Sequence, residues 1–283
     1  MSQRPARLDL ALFGDPVEHS LSPRIHQAFG EALGIEVHYR PIRVAADHLA
    51  AALADFYAAG GSGANLTVPH KQAAFRACRR VLASGRRAGV VNTLIRGATG
   101  WSGANTDGLG LCRDLRRLLP GGPRGRPVLV LGAGGAAAGI IPALLAAGAG
   151  PLGIVNRSAP RATELAARFA GRVRAIAPGE KALSAAGGSC AAGILINATS
   201  AGHDGTVPAL LASPAVRAAV QGCALAYDLS YGAAARPFVD WAAERRIAAS
   251  DGLGMLVEQA AAAFRLWSGR RPAARPVLAA LQS

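Results

Sequence analysis

The residues most able to do chemistry lie in Asn65-Leu66-Thr67-Val68-Pro69-His70-Lys71. Of the 31 lysines and arginines only Lys71 and Lys181 are lysine, which leaves 29 arginines. A guanidinium does not give up its proton at ordinary pH, whereas an ammonium can. Lysine at 71 therefore suits an acid/base; with only two lysines in the chain, a surface lysine kept by chance is the competing reading. Asp107 follows Asn105-Thr106 and precedes a helical stretch, so it reads as a helix cap or as the carboxylate that charges and orients Lys71. Ser20 and Ser22 flank a loop-to-helix junction, where Ser22 caps the helix and the helix start offers a place for a carboxylate. Asn65 and Thr67 share one face if the strand runs through both. Asn92 and Gln259 are either buried amides or hydrogen-bond partners of a polyhydroxylated ligand. His19, His26 and His70 lack metal-ligand spacing, and no metal is expected.

A second constellation is glycine-rich. Gly132-Ala133-Gly134-Gly135-Ala136-Ala137 follows an apolar run and opens a helical one, the G-x-G-x-x-A form of a dinucleotide fingerprint. Its helix start presents N–H groups to a pyrophosphate. Dinucleotide sites for NAD carry an acid after the next strand; here Asn156-Arg157-Ser158 stands there, with Arg161 one turn on. Two guanidiniums suit a 2′-phosphate, which favours NADP over NAD. Asn197-Ala198-Thr199-Ser200 closes a later strand and is either a nicotinamide-side lining or an ordinary polar turn.

These groups need a scaffold of alternating strands and helices. Strands are read at Leu8–Phe13, His38–Val44, Ala64–Val68, Gly89–Ile95, Val128–Gly132, Gly153–Asn156, Gly193–Asn197 and Ala224–Asp228. Helices are read at Ser22–Leu33, Ala46–Ala59, from His70 onward, Gly108–Leu119, Gly135–Ala147, Thr163–Ala170 and Leu253–Trp267. The alternation predicts an α/β protein of two domains with a cleft between them, each with a mainly parallel sheet. The first domain takes residues 1–107 and is completed by 253–283, its last helix packing back on it. The second, a Rossmann-type NADP domain, takes 108–252, its strand series opening after Pro120-Gly-Gly-Pro.

Composition narrows the class. Residues 127–156 carry no charge, long enough to span a bilayer, but the glycine cluster, Pro142 and Gly148–Pro151 break it. A buried strand–helix–strand reads the same way. Cys78, Cys112, Cys190 and Cys223 form no CxxC pair, and Met1–Arg7 does not look like a signal peptide. Both point to a reducing, cytoplasmic setting and no membrane. The formal charge of +14 raises a nucleic-acid alternative, but the arginines are scattered and aromatics make up 5%, so an anionic substrate and a phosphorylated cofactor are the better use of that field.

Taken in order, these motifs resemble the shikimate dehydrogenase family almost end to end: Ser20-Leu-Ser-Pro, Asn65 to Lys71, Val91-Asn-Thr, Asn105-Thr-Asp-Gly, the glycine turn, Asn156-Arg-Ser, Asn197-Ala-Thr-Ser, Tyr227-Asp-Leu-Ser-Tyr231 and Asp251-Gly-Leu-Gly-Met255 to Gln259. The resemblance implies NADPH-dependent, reversible reduction of 3-dehydroshikimate to shikimate, in aromatic amino-acid biosynthesis, by a monomer or homodimer. It puts Ser20, Ser22 and Tyr231 at the substrate carboxylate and Asn65, Thr67, Asn92, Asp107 and Gln259 around the ring hydroxyls. Lys71 and Asp107 become the catalytic pair. The cofactor set is Gly132, Ala133, Gly134, Gly135, Ala136, Asn156, Arg157, Ser158, Arg161, Thr199, Ser200, Leu229 and Gly252. A paralogue preferring quinate or an aminoshikimate is the alternative. Two departures from the family pattern stand out: Arg76–Arg87 holds five arginines and no acid, and Ala104 replaces the usual Asp or Tyr.

Overall fold

The computed structural model describes residues 7–180 and 193–283; residues 1–6, Lys181 and Cys190 lie outside the described residues. The chain divides into two compact units, one running to Leu111 and taking in Leu256–Ser283, the other spanning Cys112–Met255.

The first unit is built on a six-stranded sheet. Its strands are β1 (Arg7–Gly14), β2 (Glu36–Arg43), β3 (Gly63–Leu66), β4 (Arg80–Val81), β5 (Thr93–Gly97) and β6 (Gly100–Ala104). They lie in the order β2-β1-β3-β5-β6-β4. β1 pairs in parallel with β2 and β3, and β4 with β6, while β5 runs against both its neighbours. Helices α1 (Ser22–Leu33), α2 (Leu49–Ala58), α3 (Lys71–Ala77) and α4 (Ala83–Ala88) connect them. β1 reads RLDLALFG, and its run from Leu10 to Gly14 is buried throughout, as a strand covered on both faces requires. Phe13, Leu53, Phe56, Leu66, Leu94 and Trp101 share one core cluster.

Several expectations change here. Gly89–Ile95 is not one strand: α4 ends at Gly89, which takes the left-handed conformation at φ 64°. Pairing starts only at Thr93. The hairpin β5–β6, turning at Gly97–Gly100, is absent from the sequence reading because its turn lacks the usual Asn-Gly or Asp-Gly signal. α1 starts at Ser22, preceded by Leu21, and no side chain caps it; Ser22 is a first-turn residue, not the cap. β3 stops at Leu66, two residues short of the expected Val68, with Thr67 just past its end.

Helices α5 (Asp107–Leu118) and α10 (Leu253–Ser268) each contain one of the unit divisions. Chain breaks were expected just ahead of both helices; a helix with an apolar face along its length has no reason to end at a domain edge. The later part of α10 belongs to the first unit, where Trp267 Nε1 donates to the Leu94 carbonyl at 2.8 Å. The chain ends in α11 (Ala274–Gln282).

In the second unit β7 (Val128–Leu131), β8 (Leu152–Val155), β9 (Val173–Ile176), β10 (Ile194–Asn197), β11 (Leu225–Asp228) and β12 (Ala249–Ser250) form a sheet ordered β12-β11-β10-β7-β8-β9. Every pairing in it is parallel. Helices α6 (Gly135–Ala146), α7 (Ala159–Ala167), α8 (Pro214–Ala219) and α9 (Arg236–Glu244) cover it. β9 and β12 escape the sequence reading because Val-Arg-Ala-Ile and a two-residue strand give too little pattern. α7 begins at Ala159, four residues before the expected Thr163, as proline in its first turn allows. Among the described residues no helix is long and apolar enough to cross a membrane.

His26 on α1 is fully buried, stacked on Tyr39 with centroids 4.7 Å apart and close to Phe29, Phe264 and Trp267. Burial pushes its imidazole down from 6.5 to about 3; the nearby Asn65 side chain works the other way, but neither ring nitrogen reaches hydrogen-bond distance of a partner. The unfolded chain therefore takes up a proton below about 6.5 that the folded chain refuses until about 3. Stability from this group is full above that range and falls with pH, by about 2 kcal/mol at pH 5. Urea unfolding of His26→Phe at pH 7 and pH 5 should show a smaller acid loss than the parent protein; equal losses would remove His26 as the cause.

Candidate active site and dinucleotide site

β3, α3 and the turn into α5 place the first constellation. The chain leaves β3 at Leu66 and enters α3 at Lys71, so Lys71 stands on the first turn of that helix. Its Nζ donates to Asp107 Oδ2 at 2.7 Å, with side chains 15% and 7% exposed. Lys71 is thus a largely enclosed ion-pair partner rather than a surface lysine. Asp107 opens α5 and its other oxygen, Oδ1, accepts from Asn92 Nδ2 at 2.7 Å. Asn105 grips the same residue, its Oδ1 accepting from the Asp107 N–H at 3.1 Å.

Asn92 is the node of this network. Its Nδ2 also faces Thr106 Oγ1 at 3.0 Å and Gln259 Oε1 at 3.3 Å. Its Oδ1 accepts from the Thr106 N–H at 2.9 Å and from Thr93 Oγ1 at 2.9 Å. Asn65 joins through Nδ2, which donates to the Asn92 carbonyl at 3.1 Å. The Tyr39 hydroxyl donates to Asn65 Oδ1 at 2.9 Å. Asn65, Lys71, Asn92, Asp107 and Gln259 are therefore brought into one connected set. Thr106, Thr93 and Tyr39 belong to it too and were not singled out; for Thr106 the signal was its place inside Asn-Thr-Asp.

Ser20 and Ser22 sit together at the start of α1, where the Ser22 N–H donates to Ser20 Oγ at 3.2 Å. Thr67 is held by its backbone, donating to the Phe13 carbonyl at 3.0 Å and accepting from the His70 N–H at 2.8 Å. Tyr231 lies in the second unit, ahead of a short 3-10 turn at Gly232–Ala234.

The dinucleotide constellation falls at the carboxyl ends of the second sheet. Counted from β7, the strand order is 3-2-1-4-5-6, so the direction of winding reverses between β7 and β10. Gly132 ends β7 with φ 101°, and a Cβ there would stand 3.0 Å from the Ala198 carbonyl oxygen. Only glycine fits both demands. Gly134 caps α6, and a Cβ built on it meets open space. No side chain caps α6 and no acid sits in its first turn. The N–H groups of Gly135 and Ala136, which follow Ala133 and Gly134, are thus presented at an uncapped helix start, and these features fit a pyrophosphate.

Arg157 and Arg161 are exposed beside the end of β8 and the start of α7, and neither has an ion-pair partner among the described residues. Asn156 Nδ2 donates to the Ser158 carbonyl at 2.9 Å and shapes that turn. Thr199 is fixed by Asn197, whose Oδ1 accepts from the Thr199 N–H at 3.1 Å and its Oγ1 at 2.7 Å. Ser200, Leu229 and Gly252 follow β10, β11 and β12 at the same sheet end. Among the described residues no group of three or more His, Cys, Asp or Glu side chains forms a possible metal cluster.

A fully parallel sheet of this order with a glycine turn after its first strand, in the second unit, and an ammonium–carboxylate site on the first α/β unit define a nicotinamide-dependent dehydrogenase. Three family models match the chain: the shikimate dehydrogenase substrate binding domain over residues 12–94, shikimate / quinate 5-dehydrogenase over 119–204, and the shikimate 5′-dehydrogenase C-terminal domain over 252–282. A shikimate dehydrogenase (NADP(+)) of Xylella fastidiosa is 47% identical over 277 residues, covering 96% of this chain and 95% of the relative. A crystal structure of an Ael1 enzyme from Pseudomonas putida matches with TM-score 0.83 and 35% identity, over 97% of this chain and 98% of the other. That of shikimate 5-dehydrogenase from Thermus thermophilus, in complex with NADP(H) and shikimate, matches with TM-score 0.80 and 32% identity, over the same shares. The chain belongs to the shikimate dehydrogenase family.

Gly132→Ala should destabilise the second unit by ~1–3 kcal/mol through its left-handed φ and the crowded Ala198 carbonyl, and should weaken NADP binding. Thermal unfolding with a cofactor titration checks both, and an unchanged melting temperature would contradict the packing account.

Proposed function

We propose that the chain is an NADP-dependent shikimate dehydrogenase that interconverts 3-dehydroshikimate and shikimate. The observation that carries the reading is the enclosed Lys71–Asp107 ion pair, 2.7 Å long and braced by Asn92. NADPH, when bound, supplies the hydride for the ketone carbon. The work of this chain is then to hold the ketone oxygen against a proton donor and to keep that donor fixed. Lys71 gives its proton to the developing alkoxide, and Asp107 holds the ammonium in place and restrains its direction. Asn65, Thr67, Asn92 and Gln259 accept and donate to the ring hydroxyls, and Ser20, Ser22 and Tyr231 bind the carboxylate.

Gly132 to Ala136 take the pyrophosphate, while Asn156, Arg157, Ser158 and Arg161 take the 2′-phosphate. Thr199, Ser200, Leu229 and Gly252 line the nicotinamide end. The setting is cytoplasmic, in keeping with the separated cysteines. Burial pushes the thiols of Cys78 and Cys112 up to about 11, so neither is a ready nucleophile. The basic surface serves anionic small molecules rather than a nucleic acid.

The second reading is a dehydrogenase that prefers quinate, favoured by the shikimate / quinate 5-dehydrogenase model over residues 119–204. Quinate adds a hydroxyl at the carbon bearing the carboxylate, so discrimination falls on Ser20, Ser22 and Tyr231. Steady-state rates with each acid and each of NADP and NAD separate the two. Shikimate with NADP is expected to give the highest kcat/KM, and dominant quinate activity with NAD would overturn the assignment.

Lys71→Ala should lower kcat by ~10²-fold or more while KM moves far less, the pattern of a lost acid/base. Unchanged turnover would take Lys71 out of the mechanism. Replacing Arg157 and Arg161 together with Ala should raise KM for NADP and narrow its advantage over NAD; an undiminished preference would place the 2′-phosphate elsewhere.

A further inference from the structure

Asp228, the last residue of β11, is 1% exposed. It takes no part in the proposed reaction. Both its oxygens are occupied by donors: Oδ2 accepts from Asn197 Nδ2 at 2.7 Å and Oδ1 from the Ser230 N–H at 2.7 Å. No cation pairs with it among the described residues. A carboxylate buried without a counter-ion is costly unless its hydrogen bonds are complete. These bonds tie together segments that belong to different strands.

Asn197 is the first link. With Nδ2 committed to Asp228, its Oδ1 is turned toward Thr199, which it holds through both N–H and Oγ1. Its backbone carbonyl accepts from the Leu229 N–H at 3.0 Å. Ser230 is the second link: its carbonyl accepts from the Gly252 N–H at 2.7 Å. Gly252 itself approaches so closely that a Cβ there would fall 2.4 Å from the Leu229 carbonyl oxygen. One carboxylate thus sets the positions of the segments that follow β10, β11 and β12, and these carry Thr199, Ser200, Leu229 and Gly252.

We propose that Asp228 is a positioning residue for the nicotinamide half of the cofactor: its carboxylate clamps the ends of β10 and β11 together. The reason is donor counting. A carboxylate accepts from both Asn197 Nδ2 and the Ser230 N–H, whereas an amide in its place must turn its N–H toward one of these donors. Asn197 cannot answer by flipping its amide, because its oxygen is already held by Thr199 on two donors. Burial holds the Asp228 carboxyl up at about 6; the Asn197 and Ser230 bonds oppose this, and the negative charge of Asp251 adds to it.

The proposal rests on the second unit being the NADP site, so the test uses two ligands that share the adenosine end. NADPH binding, followed by its fluorescence, is compared with binding of adenosine 2′,5′-bisphosphate, which reaches Arg157 and Arg161 but has no nicotinamide. In Asp228→Asn, at pH 8, an amide N–H faces Asn197 or Ser230, and NADPH affinity should fall ~10-fold or more, as for a buried donor left facing a donor. Affinity for the bisphosphate should stay within about 2-fold, the scale of an unperturbed contact. The double variant Asn197→Asp/Asp228→Asn exchanges the polarity of the pair, restores every donor to an acceptor and should recover most of the NADPH affinity.

Equal losses for both ligands, or no recovery in the double variant, would make Asp228 a stability residue only and overturn the proposal. An unaltered NADPH affinity in Asp228→Asn would overturn it as well. Failure of the unmutated protein to bind either ligand would instead sink the NADP reading, and this inference with it.

Discussion

The first unit is organised around a charge that it does not leave to water. Burying an ammonium and a carboxylate is unfavourable unless each meets its partner and the remaining oxygens meet donors. Here Lys71 and Asp107 satisfy one another, and Asn92 takes the other carboxylate oxygen. Asn92 in turn is held at its own oxygen by Thr106 and Thr93. A single misplaced strand would leave a donor without an acceptor. That requirement links β3, β5, α3, α5 and α10, five elements drawn from opposite ends of the chain.

The same arrangement fixes the one lysine to which the proposed function gives the proton. Its partner Asp107 is held by Asn92 and Asn105 as well, so one of the three ammonium N–H groups is committed to a fixed carboxylate. Removing Lys71 leaves Asp107 with its bonds from Asn92 and Asn105, which is why loss of the amine need not unravel the site. The second unit follows a different logic. Its sheet supplies backbone N–H groups, an uncapped helix start and exposed guanidiniums. The specific side-chain bonds near the strand ends serve to order loops around Asp228.

Much of this was legible in the residues because it is carried by local pattern. The glycine turn after β7 is a backbone requirement, and only glycine meets it at 132. Arginine in place of an acid after β8 is a charge argument that needs no coordinates. A lysine in an arginine-rich chain drew attention to position 71. Other features depend on what the fold brings from afar. Thr106 and Tyr39 matter because Asn92 and Asn65 are near them in space, which spacing cannot reveal. Asp228 read as one letter of a motif, and its role emerged only from its two donors. The β5–β6 hairpin was missed because its turn carries an unremarkable sequence. Ser22 looked like a cap, but Leu21 precedes the helix and no side chain closes it.

The account turns on Lys71 acting as the proton donor. The most direct measurement is chemical rescue: turnover of Lys71→Ala with 3-dehydroshikimate and NADPH in the presence of small alkylamines of graded basicity. The account predicts that added amine restores turnover in a saturable way that follows amine basicity, and leaves the unmutated enzyme unaffected. Turnover in Lys71→Ala that ignores every amine, at a rate close to that of the parent enzyme, would contradict it.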